Sequence, residues 1–278
     1  MVEIRQWSRS DTARLLRVPA PHDDKYSRGV VALRTGSPAF PGAAVLGVEA
    51  AWRAGAGFVR YVGDARPADA VLARRPETVV GPDAGRTRVG AWVIGSGTDA
   101  DARTPEETDA LREILAGDVP VVVDAGALDL ADAATAPVVA TPHAGEFARL
   151  RDRLGLGAGA GETREDAVVR VAERLGGTVL LKGSRTIIAD AEGILITLDE
   201  ATGWLATAGT GDVLAGAIGA LVAANHDRPV REAAAAAATL HAMAADIAAG
   251  RDETAHGHPI VALDVADALP RAIADLLA

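Results

Sequence analysis

The sequence predicts an α/β protein of three layers, with helices on both faces of a mostly parallel central sheet. Two observations carry that expectation. Short apolar runs such as V-P-V-V-V-D-A-G (119–126) and T-V-L-L-K-G (178–183) end in Gly, Pro or Asp, as strands covered on both faces do. Helical patterns lie between them, and strand–helix alternation at this rhythm argues for parallel pairing through crossovers. The 278 residues, 49% of them hydrophobic, can bury one large core, and no shift in composition divides the chain.

In chain order, Pro41 and Gly42 open a helix, and G-F-V-R-Y-V-G (57–63), A-W-V-I-G-S-G (91–97), 119–126, P-V-V-A-T-P (137–142) and 178–183 read as strands. Val168, Val171, Ala172 and Leu175 follow helical spacing behind a cap at Thr163,. The runs T-I-I-A-D (186–190) and I-L-I-T-L (194–198) flank Ala191-Glu192-Gly193 and predict a hairpin, an antiparallel piece within the alternation,. Val213, Leu214, Ala217, Ile218 and Leu221 share one helical face, so a helix is expected to begin at or just after Asp212,. The alanine run 233–238 continues into Leu240, His241 and Met243 as a closely packed helix, with His241 in the core or a pocket wall. Val265, Leu269, Ala272, Ile273 and Leu276 form a last stripe, interrupted by Pro270, a place for a kink,. Residues 155–161 are nearly all Gly and Ala and are the candidate mobile loop,.

Composition removes several function classes. With no cysteine there are no disulfides, thiolate metal sites or Cys nucleophile,. A formal net charge of -10 opposes non-specific nucleic-acid binding. The opening M-V-E-I-R-Q-W-S lacks a signal pattern, and no segment has a span's worth of uninterrupted apolar residues,. The expectation is a soluble cytoplasmic protein with neither nucleic acid nor membrane as partner. The imidazoles of H-G-H-P (256–259) have no third ligand at metal spacing and read as a plain loop,.

The chemistry concentrates in A-T-A-G-T-G-D-V-L-A-G (206–216). Gly209 and Gly211 ahead of an apolar helix make an anion pocket, because bare amides approach a phosphate where no side chain intervenes. Asp212 puts a carboxylate into that pocket. A plain helix cap, worth ~1 kcal/mol, would account for Asp212 but not for its two glycines. Amides that hold a phosphoryl group, beside a carboxylate that takes a hydroxyl proton, are what phosphoryl transfer to an alcohol requires.

Other segments contribute further candidates. In T-P-H-A-G-E-F-A-R-L (141–150), His143 and Glu146 project to one side as a helix opens at a strand's end, where open α/β sheets bind ligands,. His143 is the candidate substrate contact, and Glu146 stands near Mg²⁺ through water. A capping arrangement, with Glu146 satisfying free amides, is the competing explanation. Lys182, Gly183, Ser184 and Thr186 are candidates to grip a nucleotide's phosphates or ribose, or else a solvated turn. Ala43 and Ala44 leave helix amides reachable by a ligand, while Gly47, Ala50 and Ala51 read as packing. Gly97 is a candidate pocket-lining residue, and Asp124 a structural or metal-orienting carboxylate.

The ordered set of motifs resembles the ADP/ATP-dependent NAD(P)H-hydrate dehydratase family, a branch of the ribokinase-like fold. The matching pieces include F-P-G-A-A (40–44), I-G-S-G (94–97), V-V-D-A-G-A-L (122–128), T-P-H-A-G-E-F-A-R-L, L-K-G-S-R-T (181–186) and L-A-T-A-G-T-G-D-V-L-A-G (205–216), within a span running from 25 to about 216. The resemblance implies repair of nicotinamide cofactors: the hydroxyl of the S epimer of hydrated NADH or NADPH is phosphorylated, and loss of phosphate restores the dihydropyridine. ADP is the implied phosphoryl donor, with ATP as the other possibility and Mg²⁺ assisting, and AMP is the product. By position, Ala43, Gly97, His143 and Asp212 would contact the hydrated cofactor, with Asp212 as base. Lys182, Gly183, Ser184, Arg185 and Thr186, with Gly209 and Gly211, would hold the adenine nucleotide. A homotetramer is also implied.

The family usually shows Asp-Ala-Asp where this chain has Asp124-Ala125-Gly126, and a small or Pro-containing turn where it has Trp204. Residues 1–24 are expected to be an N-terminal extension, too short for the epimerase domain the family often carries, and 25–278 a single domain. Two rivals remain at this stage. One is an ATP-dependent kinase of the same fold acting on a vitamin-precursor alcohol of the hydroxyethylthiazole or hydroxymethylpyrimidine type; the other is a non-catalytic nucleotide-binding protein.

Overall fold

The structure, a computed structural model, describes residues 3–159, 161–251 and 254–278. Its strands and helices follow in order as β1 (Glu3–Gln6), α1 (Arg9–Ala13), β2 (Val30–Arg34), α2 (Pro41–Arg53), β3 (Phe58–Val62), α3 (Ala65–Arg74), β4 (Val79–Gly81), β5 (Ala91–Ile94), α4 (Pro105–Leu115), β6 (Val121–Val123), β7 (Val138–Ala140), α5 (Ala144–Arg153), α6 (Arg164–Leu175), β8 (Thr178–Leu181), β9 (Ile187–Ala189), β10 (Ile194–Thr197), α7 (Thr210–Ala224), α8 (Val230–Ala248) and α9 (Ala262–Leu277). A 3-10 segment, Ala125–Ala133, follows β6.

The strands form one sheet in the order β1-β10-β9-β8-β7-β6-β5-β2-β3-β4. All pairings are parallel except those of β9 with β8 and with β10. The expected hairpin at 186–198 is that antiparallel piece. β1 then adds in parallel along β10, and Trp7 just after it is buried, its indole donating to Thr12 Oγ1 at 2.9 Å.

Alternation along the strands divides the apolar residues between two cores. Val93, Val122, Val139 and Leu180 face one side, against α2, α7, α8 and α9. Ile94, Val121, Val123, Val138 and Val179 face the other, against α4, α5 and α6. The three-layer α/β/α expectation therefore holds, with each central strand buried on both faces.

Small residues set how closely the first helical layer sits. A Cβ on Gly216 of α7 would overlap the Gly47 carbonyl of α2, and one on Gly219 would overlap Val93 of the sheet. Within α2, Glu49 is fully buried and bound by Arg53, Arg74 and Arg75, which fastens α3 to α2.

Several expectations change in detail. α7 begins at Thr210 rather than at or after Asp212, because Gly209 adopts φ +89° and Thr210 Oγ1 donates to the carbonyls of Leu205 and Thr207, each at 2.9 Å. Pro270 sits inside α9 without ending it. Met1 and Val2 of the opening octet, and Ala160 of the candidate mobile loop, lie outside the described residues. Around that loop, Arg151 and Arg170 both reach the Gly157 carbonyl and Glu162. His256 and His258 lie in irregular backbone, as the loop reading expects.

Gly216→Ala tests the close approach of α2 and α7. Overpacking there should cost about 1–3 kcal/mol, seen as a thermal midpoint lowered by several degrees; an unchanged midpoint would contradict the contact.

Candidate active site

The parallel strands β2, β5, β6, β7 and β8 end along one edge, and the chemistry-bearing residues follow them there. Four strand ends are joined through Asp124, whose side chain is almost fully buried. Ser96 Oγ donates to Asp124 Oδ2 at 2.8 Å, and Thr141 Oγ1 and Lys182 Nζ both donate to Oδ1 at 2.8 Å. The Lys182 ammonium also lies 3.8 Å from Glu146 Oε2 and 3.5 Å from where a Gly211 Cβ would stand. It is thus suspended over the first turn of α7 by a buried anion.

That turn carries Asp212 as its third helical residue. The carboxylate makes no cap hydrogen bond, and the amides of Gly211 and Asp212 have no acceptor among the described residues. Gly209 needs both its positive φ and its missing side chain, since a Cβ would lie 2.6 Å from Leu46 Cδ1,. Burial pushes the Asp212 carboxyl up to about 6; the Asp124 charge adds to the rise and Lys182 opposes it,. A carboxylate with that affinity accepts a proton readily yet is mostly ionised at neutral pH.

His143 and Glu146 form a reciprocal cap on α5. His143 Nδ1 accepts from the Gly145 and Glu146 amides at 3.0 and 3.4 Å, and Glu146 Oε2 accepts from the His143 amide at 2.8 Å. The capping explanation is therefore what the geometry contains, and it places the imidazole proton on Nε2. His143 still borders a cleft of about 650 Å³ that also involves Lys182, Gly183, Ser184, Thr186, Thr210 and Gly211. Leu198, Leu205, Leu214 and Ala238 give this cleft apolar walls, suited to a flat base,. His241 closes it from below: its Nε2 lies 2.9 Å from the Thr210 carbonyl, and burial lowers its pKa to about 4, so it stays neutral.

A second cleft, of about 1000 Å³, opens on the other side of Glu146 and includes Phe40, Thr98, Gly126, Asp129, Arg149 and Arg153. Ala43 and Gly97 pack against each other: Gly97 has φ +68°, and a Cβ on it would overlap Ala43 Cβ. Neither lines either cleft. Arg185 is exposed and also absent from the lining. Asp124, expected to be a structural or metal-orienting carboxylate, is found organising Lys182. Sequence reasoning missed the wall formed by Leu198, Thr202 and Leu205.

For a divalent ion the donor set is thin. Among the described residues no group of three His, Asp or Glu side chains is arranged to hold a metal, and Asp124 already accepts from Ser96, Thr141 and Lys182. This fits Mg²⁺ only in its usual manner, carried on substrate phosphates and reached by a carboxylate through water.

A family model described as NAD(P)H-hydrate dehydratase matches residues 31–270. The chain belongs to the NAD(P)H-hydrate dehydratase family. It is 44% identical over 241 residues to the bifunctional NAD(P)H-hydrate repair enzyme Nnr of Mycobacterium tuberculosis, covering 84% of this chain and 48% of that protein. The chain thus spans about half the length of this relative. Identity to the ADP-dependent (S)-NAD(P)H-hydrate dehydratase of Neisseria meningitidis is 35% over 252 residues, covering 84% of this chain and 81% of that one. Among solved structures, the ADP/ATP-dependent NAD(P)H-hydrate dehydratase of Bacillus subtilis, co-crystallised with ATP and Mg²⁺, superposes with a TM-score of 0.83 at 28% identity, covering 99% of each chain. The dehydratase family shares the ribokinase-like architecture expected from the motifs. At position 126, where the resemblance led to an expected Asp, a Cβ on Gly126 would overlap the Thr98 carbonyl and hydroxyl. Among the described residues no helix is long and apolar enough to cross a membrane.

The buried charge of Asp212 makes a stability prediction. Its folded pKa of about 6 lies above the ordinary 3.8, so ionisation costs stability, a cost absent below about 4 and complete above about 6. Asp212→Asn should therefore raise the thermal midpoint at pH 8 by roughly a few degrees, with the gain shrinking as pH falls toward 4. A gain independent of pH would contradict the burial of this carboxylate.

Proposed function

We propose that this chain dehydrates the S epimer of hydrated NADH and NADPH in the cytoplasm, consuming ADP and releasing AMP and phosphate. The observation that carries the reading is the position of Asp212, a proton-accepting carboxylate beside unpartnered helix amides and Lys182. The named activity of the Neisseria relative supports it over a vitamin-precursor kinase.

The apolar cleft beside Lys182, Gly183, Ser184 and Thr186 takes the adenine nucleotide. Lys182 and the amides near Gly209 and Gly211 then face its phosphates. Arg185 belongs to the same turn through its backbone. The hydrated cofactor enters from the other side of Glu146, with Ala43, Gly97 and His143 shaping its approach to Asp212. Asp212 removes the proton of the ring hydroxyl as its oxygen attacks the terminal phosphorus of ADP; the bond to the bridging oxygen breaks and AMP departs. The phosphorylated ring then loses phosphate as the C–O bond breaks, while the neighbouring ring carbon gives up a proton and the double bond returns. Lys182 compensates charge on the moving phosphoryl group throughout. Mg²⁺ carried on the nucleotide would neutralise phosphate charge, with Glu146 reaching it through water. The same proposal takes 25–278 as one domain, with 1–24 as its extension, assembled as a homotetramer that light scattering can test.

Purified protein given hydrated NADH and ADP should restore the dihydronicotinamide absorbance with AMP formed in equal amount. No recovery, with ATP-dependent phosphorylation of a thiazole or pyrimidine alcohol instead, would sink the reading. Asp212→Asn should lower turnover by about 10²-fold or more while nucleotide binding survives.

The pH dependence follows from the ionised form being the base: activity falls as pH drops through about 6. Lys182 holds this pKa down, so Lys182→Met should move the acid limb of kcat/KM upward. A limb that stays in place would remove Lys182 from the electrostatics of Asp212.

A further inference from the structure

His241 is only 7% exposed, borders the smaller cleft and takes no part in the chemistry above. It follows the alanine run of α8; Ala238, three residues before it, and Ala242, just after it, border the same cleft. Its Nε2 lies 2.9 Å from the Thr210 carbonyl. A carbonyl oxygen only accepts, so Nε2 carries the proton. Burial keeps the ring neutral, which leaves Nδ1 as a bare lone pair.

No hydrogen bond joins that nitrogen to another described residue. It is also not among the buried side-chain atoms that lack a partner, such as Thr35 Oγ1. The open nitrogen of this nearly buried ring therefore meets the cleft. A tie between α8 and α7 would be satisfied by any side chain with an N–H for Thr210. The imidazole brings an acceptor as well, and an acceptor covered by a ligand without a partner costs free energy. A donor on the ligand removes that cost.

The surroundings indicate which donor. Leu214 lies one turn past Thr210 on α7, and with Ala238 it belongs to the apolar walls of the cleft. Nδ1 is thereby placed among the walls suited to a flat base, whereas Lys182, Ser184 and Thr186 supply a polar side. In an adenine nucleotide the base carries its only N–H donors on the amine at C6. Hypoxanthine and guanine present a carbonyl oxygen there.

We propose that His241 selects adenine by accepting a hydrogen bond from the C6 amine at Nδ1. This rests on the reading of the cleft as the nucleotide site. A base with a carbonyl at C6 sets two acceptors against each other, so selection comes from repulsion as well as from the bond made.

Calorimetric titration with ADP, inosine diphosphate and the diphosphate of purine riboside, which lacks the amine, tests the contact without catalysis. Wild type should bind the purine compound about tenfold more weakly than ADP, and inosine diphosphate about 10²-fold more weakly. His241→Gln keeps a donor for Thr210 and removes the acceptor. Its affinity for ADP should fall about tenfold, to the level of the purine compound, whose own affinity should stay within about twofold. Equal affinities in wild type, an unchanged ADP affinity in the variant, or an equal loss on all three ligands would overturn the contact. Should the variant not fold, nitrogen NMR of wild type decides. The Nδ1 signal of the imidazole that stays neutral at about pH 5 should shift with ADP but not with the purine compound; a matching response to both overturns the proposal. Wild type that binds no nucleotide overturns it together with the assignment of the cleft. Selective ADP binding without restored NADH would instead remove the dehydration reading and leave the base contact standing.

Discussion

The bond between Lys182 and Asp124 is the constraint on which the rest of the site depends. A buried carboxylate needs its lone pairs filled, and here Ser96, Thr141 and Lys182 fill them from three neighbouring strand ends,. The ammonium is thereby fixed over the first turn of α7, and its flexible stem loses the freedom that would blur a phosphate contact. The same pair sets the charge of Asp212 from two directions, with Asp124 raising its proton affinity and Lys182 lowering it. One ion pair thus does the positioning and the electrostatic tuning together.

The reach of that pair depends on how α7 is seated. Glycines at 47, 216 and 219 let the helix press against both α2 and the sheet, which keeps its first turn level with the strand ends. At that turn, neutral His241 and the Thr210 hydroxyl both bond to backbone carbonyls. The opening amides are consequently held in place by packing and by groups that do not titrate near neutral pH. Such prior ordering is what electrostatic stabilisation of a moving charge needs.

Much of this was legible in the residues. Continuous apolar runs revealed β3, β5, β6, β7 and β8, because burial on both faces leaves no room for alternation, while β2, equally central between β5 and β3, was missed. The G-T-G-D and T-P-H-A-G-E segments revealed themselves because glycines and capping side chains act locally, within a few residues of one another. Edge strands β1 and β4 were not legible, since E-I-R-Q and V-V-G are strands only by virtue of the partners they pair with. The partners of Asp124, read from sequence only as a structural or metal-orienting carboxylate, were hidden for the same reason: its donors lie 28, 17 and 58 residues away, and strand order alone makes them neighbours. The start of α7 was misjudged by two residues because Thr210, not Asp212, ties down the preceding turn.

The glycine at 126 has a historical implication. The loop after β5 fills the space that a side chain there would occupy with both the carbonyl and the hydroxyl of Thr98. Placing an acid at this position would require the neighbouring loop to be rebuilt in the same step. Variation at these two places is therefore expected to travel as a pair across related sequences, and a substitution borrowed at one of them alone would arrive in the wrong background.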